Sequence, residues 1–212
     1  MESLLRMKFL QIKKQPVLHL CPVLFFYVLL LPYQEQAMAG ADEEKALAAF
    51  ILTEKIVILF NIWYQYLDFK LFFYRDLKEL SFVGFTVSHL KWLLLSRAAY
   101  LIVLFPFLLV FRQAGITCIV NCFAVFIIQV LEISGAAFLV MEISWSSVIG
   151  AVFASCYIFI CINGILPGQW NVLVLDVNPY MVDGNWFLVH GVIAGILYWI
   201  DCIGRRVNNK SI

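Results

Sequence analysis

The sequence predicts an all-α, polytopic membrane protein of six transmembrane helices with both ends on the cytoplasmic side. Three observations carry this. First, 63% of the 212 residues are hydrophobic and 14% charged, with a mean hydropathy of +0.90. Soluble domains sit near about 45–50% apolar and about 25% charged, so the excess exceeds what one interior of this size can hide. Second, the apolar residues fall in runs long enough to cross a bilayer, which takes roughly 20 residues. Third, the cations are distributed unevenly among the connections. The net charge of +1 supplies no basic or acidic field that would suggest a nucleic-acid partner.

The elements follow in order. Residues 1–16 carry Arg6, Lys8, Lys13 and Lys14 among Leu4, Leu5, Phe9, Leu10 and Ile12. The first span is 17–33, followed by a polar stretch from Gln34 to Lys45. The second span, 46–68, has a blurred start because Glu54 and Lys55 interrupt it. The third is 93–111, with Arg97 near its start and Pro106 inside. A turn at Arg112–Gly115 leads to the fourth, 116–141, and a short connection after Glu142 to the fifth, 148–165. Pro167-Gly168, Asn178-Pro179 and Asp183-Gly184 mark a long loop, and the sixth span is 185–203.

The charges orient these spans. With the N-terminus inside, Met1–Pro16, Asp68–Arg97 and Gly204–Ile212 face the cytoplasm and hold twelve of the fifteen Lys and Arg. The opposite loops carry Glu35, Asp42, Glu43, Glu44, Asp176 and Asp183. That asymmetry is the positive-inside pattern. A second reading of the N-terminus is a signal peptide, with Ala37-Met38-Ala39 as its cleavage site, which leaves five spans.

Polar groups in spans are costly and are functional candidates by default. Gln129 and Glu132 lie one turn apart on one face of the fourth span, and so line a possible translocation path or relay. The bland alternative is a carboxyl hydrogen-bonded to a neighbouring helix. Lys55 and Arg97 have stems long enough to snorkel to the surface, while Glu142 and Asp201 read as interfacial anchors. His19, His89 and His190 lie on separate segments, and the six cysteines fall in apolar runs where thiols behave as small hydrophobes. No zinc, nucleophile-elbow, redox-pair or phosphate-loop motif occurs. The chain therefore reads as no enzyme, with no cofactor or metal of its own.

The segment after the second span begins with charges at Lys70, Arg75, Asp76, Lys78 and Glu79. An apolar turn with Phe82, Val83 and Phe85 follows, and Ser88 is placed to cap a helix that returns to the membrane. Such an elbow offers an apolar knob with basic flanks to a soluble partner or to the lipid interface.

This layout resembles the permease subunits of ABC exporters of the type-2 class. Residues 1–16 resemble the family's N-terminal interfacial helix. The stretch from Arg75 through Thr86-Val87-Ser88 to Arg97 resembles its cytoplasmic coupling helix, with Thr-Val-Ser where many relatives carry Pro-Ile-Ser. Residues 164–184 resemble the extracellular hairpin. The resemblance implies a plasma-membrane half-transporter that pairs as a homo- or heterodimer, through spans one and five, and moves a peptide, lipid or other amphipathic cargo. It also implies a separate ATP-binding cassette subunit that contacts Arg75, Lys78, Phe82, Phe85, Ser88 and His89.

Two further classes fit the same spans. One is a membrane scaffold or assembly protein without transport. The other is an intramembrane enzyme using Glu132, which a polar cluster converging on that residue would favour.

Overall fold

The computed structural model describes residues 2–39, 43–70, 89–113, 119–173 and 182–208, and among these it is helical with no strand. The elements are α1 (Glu2–Lys14), α2 (Pro16–Leu24), a π-helical turn (Phe25–Leu30), α3 (Leu31–Met38), α4 (Glu43–Phe69), α5 (His89–Gln113), α6 (Ile119–Ser144), α7 (Ser147–Ile162), a 3₁₀ turn (Gly168–Trp170) and α8 (Gly184–Asn208). Pro16–Gln36, Ala48–Phe69, Leu90–Arg112 and Val120–Ser144 have the length and hydropathy to cross a membrane; Ser147–Ile162 and Gly184–Ile200 are apolar but shorter. Six runs were expected and six apolar helices stand in their places, four of them of spanning length. Within the polar stretch Gln34–Lys45, α3 continues to Met38 and α4 starts at Glu43.

Local sequence explains the irregularities. Pro16 occupies the first turn of α2, where its missing N–H is not needed. The π turn immediately precedes Pro32, which cannot donate to the Val28 carbonyl, and a widened turn accommodates that gap. Between α6 and α7 the chain reverses in two residues. Trp145 adopts the left-handed conformation at φ 52°, and the Ser146 hydroxyl caps α7 by accepting from Ile149 N–H at 3.3 Å.

Helix α6 is central and packs against α4, α5, α7 and α8. The apolar interior has three clusters along the bundle. One contains Phe50, Phe111, Phe126 and Trp186, and the next Phe26, Val57, Tyr100, Leu104, Phe107, Ile133 and Ile158. The third contains Phe69, Trp92, Leu93, Phe138 and Met141. The chain after α7 turns inward, where Val172 and Leu173 are buried. Asn171 holds them there by donating to the Cys161 carbonyl at 2.9 Å and accepting from Leu173 N–H. Large apolar side chains point outward from every long helix, among them Leu24, Leu59, Ile102, Val120, Phe159 and Trp199.

The α6–α7 hairpin closes on Gly150. A Cβ there would lie 2.2 Å from Met141 Cγ and 2.7 Å from the Ala137 carbonyl oxygen. Gly150→Leu is expected to destabilise the protein by about 1–3 kcal/mol through overpacking. Gly168→Ala, which meets nothing within 4 Å, should stay within about 0.5 kcal/mol of the parent. Unfolding in mild detergent reads both, and equal behaviour of the two variants would refute the close approach.

Candidate functional site

Helix α4 carries Glu54, Asn61, Gln65 and Asp68 at successive spacings that return to one helical face, and all four are buried. Two polar layers form where this face meets its neighbours.

The first layer lies at the end of α4. Asp68 accepts from Arg97 Nη2 at 2.9 Å, from the Ser96 hydroxyl and from the Lys8 ammonium, so one carboxylate faces two cations. Arg97 also donates to the Asn61 carbonyl at 2.9 Å. Asn61 in turn donates to the Ser134 hydroxyl at 3.0 Å, and Gln65 donates to the Ser134 carbonyl at 2.8 Å. Helices α4, α5 and α6 are thus tied at one level. The N-terminal helix joins them through polar contacts: Gln11 donates to the Leu67 carbonyl, Lys70 donates to Gln15, and Lys8 sits over the Trp92 ring at 5.5 Å. Desolvation holds the Lys8 ammonium below the ordinary lysine value, outweighing the opposing attraction of Asp68.

The second layer centres on Glu132. Its Oε2 lies 2.7 Å from His190 Nδ1 on α8, and its Oε1 accepts from the Tyr157 hydroxyl of α7 at 3.0 Å. One turn earlier, Gln129 donates to Glu54 on α4 and to the Val172 carbonyl at 2.8 Å. Trp186 walls the site, its ring 4.6 Å from that of His190, and its Nε1–H donates to the Asn171 carbonyl. Helices α4, α7 and α8 and the inward-turned segment therefore converge on two residues of α6. Separate from both layers, an apolar groove of about 460 Å³ runs between α4 and α7, lined by Leu59, Trp63, Tyr66, Val152 and Cys156.

Of the residues singled out from sequence, Gln129 and Glu132 are brought together at the second layer. Arg75, Lys78, Phe82, Phe85 and Ser88 lie outside the described residues, as does Asn178-Pro179; His89 opens α5. Arg97 corrects the snorkelling expectation. It is 1% exposed and pairs with Asp68, because a nearby buried carboxylate gives the guanidinium an internal partner. Asn61, Gln65, Asp68, Tyr157 and His190 were missed as site residues. The spacing of the polar residues along α4 was visible in the sequence. The pairing of His190 with Glu132, 58 residues apart, was not.

Among the described residues, no group of three or more His, Cys, Asp and Glu is arranged to hold a metal ion. The hydroxyl bonded to Glu132 in the second layer is that of Tyr157. This layer can hold charge, orient an imidazole and bind polar groups away from water. No protein-family model, curated protein or solved structure matches this chain significantly. Fold and site define an all-helical chain with spans of membrane length and an interior of paired charges.

Arg97→Leu leaves Asp68 short of its buried partner and is expected to cost about 3–5 kcal/mol. Adding Asp68→Leu should recover a substantial part of that loss, since Lys8 is partly exposed and can turn to solvent. A double-mutant cycle on detergent-solubilised protein measures the coupling, and simple additivity of the two losses would contradict a shared buried pair.

Proposed function

We propose that this chain is the transmembrane subunit of an ATP-driven exporter, inserted as six spans with both termini cytoplasmic and served by separate ATP-binding subunits. The observation that carries the reading is the clamp at Asp68. Residues 71–88, the expected contact for the ATPase, are bracketed by Asp68 on α4 and by Ser96 and Arg97 on α5, and these are joined directly. A push on the ends of α4 and α5 would pass through the ion pair that joins them, to α6 through Asn61 and Ser134 and to α1 through Lys8. Rigid-body shifts of helices are the usual form of such switching. The interfacial position of α1 is supported by its attachment through polar contacts at the same level.

The bilayer setting is supported by the spanning-length helices and by the outward apolar side chains, which would be a liability in water. The shorter α7 and α8 complete the six crossings in this reading.

The convergence on Glu132 favours a second reading, an intramembrane enzyme. A carboxylate-oriented imidazole is a familiar acid–base pair. The scaffold reading has no specific observation in its favour.

Tagged protein extracted gently from its native membrane is expected to bring down a soluble ATP-binding protein. A variant with Arg75 and Lys78 reversed in charge plus Phe85→Ala should lose it while keeping the parent's unfolding temperature. Recovery of well-folded parent protein with no ATPase would sink the export reading and bring the other two forward.

A further inference from the structure

Helix α1 is attached to the bundle through its polar side. Lys8, Gln11 and, just past the helix end, Gln15 follow at three- and four-residue spacing, which puts them on one face. Lys8 bonds to Asp68, Gln11 donates to the Leu67 carbonyl at 2.9 Å, and Gln15 accepts from Lys70 at 2.6 Å. The opposite half of the helix carries Phe9, Lys13, Leu10 and Lys14, in that order around its circumference. Phe9 is 67% and Leu10 47% exposed. Both lysines are exposed, with no ion-pair partner among the described residues.

A helix packed on a body in water turns its apolar residues in and its polar residues out. Helix α1 does the reverse. Lysines in a last turn complement the helix dipole, which accounts for the place of Lys13 and Lys14 but not for the outward Phe9 and Leu10. The helix carries one acid, Glu2, at its far end. The next outward apolar residues along the chain are Val17, Leu20 and Leu24, and these belong to Pro16–Gln36, a segment of spanning length.

We propose that the outward face of α1 docks on the anionic lipid surface of the bilayer that holds the chain. Phe9 and Leu10 reach the acyl boundary, and Lys13 and Lys14 meet lipid phosphates. Interfacial helices bind by this combination of buried apolar area and attraction to anionic lipid. The lysine stems are long enough to lie along Phe9 and Leu10 while the ammonium groups rise to the headgroups. A protein surface could cover two apolar side chains. Two unpaired lysines interleaved with them call for negative charge spread over an area, which a leaflet with anionic headgroups supplies. The proposal deepens the interfacial placement of α1 and rests on the bilayer insertion proposed above. It needs no ATPase.

The test places the full chain in nanodiscs of phosphatidylcholine, or of phosphatidylcholine and phosphatidylglycerol in equal parts. Amide hydrogen exchange is then read by mass spectrometry. Exchange of α6 reports insertion and fold, and exchange of α1 reports docking, so the two failures are read separately. Phosphatidylglycerol is expected to slow α1 about fivefold or more, since each lysine near an anionic surface contributes about that factor. It should leave α6 unchanged. Raised salt should remove the difference, as should Lys13→Gln combined with Lys14→Gln. Phe9→Ser with Leu10→Ser should speed α1 exchange in both bilayers. Glycerol phosphate in solution should change nothing, because a free phosphate brings no acyl boundary. Equal α1 exchange in the two bilayers, with α6 protected, overturns the proposal and leaves the face to a protein partner. Slowing that survives loss of both lysines, or that glycerol phosphate reproduces, overturns it as well. An unprotected α6 in the parent sinks the insertion and the proposal with it.

Discussion

The ion pair between Asp68 and Arg97 constrains more of this structure than any other contact. Both side chains are almost fully enclosed. Away from water, an isolated charge is too costly to keep, so neither helix can slide or rotate without exposing the other's charge. The pair therefore fixes the register of α4 against α5. Asn61 and Ser134 extend that register to α6, and Lys8 brings in the N-terminal helix. Apolar contacts could not do this in a bilayer. Lipid tails are as apolar as leucine, and helices there are held by close packing and interhelical hydrogen bonds.

The polar layers and apolar clusters divide the work. The clusters around Phe50, Phe107 and Phe138 fill space, with aromatic pairs such as Phe26–Phe107 and Phe69–Phe138 in tilted or edge-on contact. The polar layers between them specify which helix meets which. Gly150 sets how closely α6 and α7 approach at their shared turn. One layer then lies where the end of α4 meets α5 and the other deep in the bundle, both anchored on α4 and α6.

Much of this was legible beforehand. The positions of the apolar helices came through because a run of some twenty apolar residues has few other uses. Gln129 and Glu132 stood out because polar side chains are rare in such runs. Arg97 was misread because the stem of an arginine allows either snorkelling or burial, and the choice depends on whether a carboxylate waits inside. Asp68 was read as the start of a cytoplasmic stretch, when it is buried in the last turn of α4. Glu54 was read as an interruption, although with Asn61, Gln65 and Asp68 it marks one continuous face.

Composition and charge pattern alone determined the helical class, the apolar segments and the polar residues worth following. Those properties are local, since hydropathy and helical periodicity act over a single segment. Only the tertiary structure decided that His190 and Tyr157 meet Glu132, and that Arg97 and Lys8 share Asp68. It also enclosed His190 Nε2 and Gln129 Oε1 with no partner among the described residues. These pairings join residues distant in the chain, and a buried charge takes whichever partner the packing of the helices brings within reach.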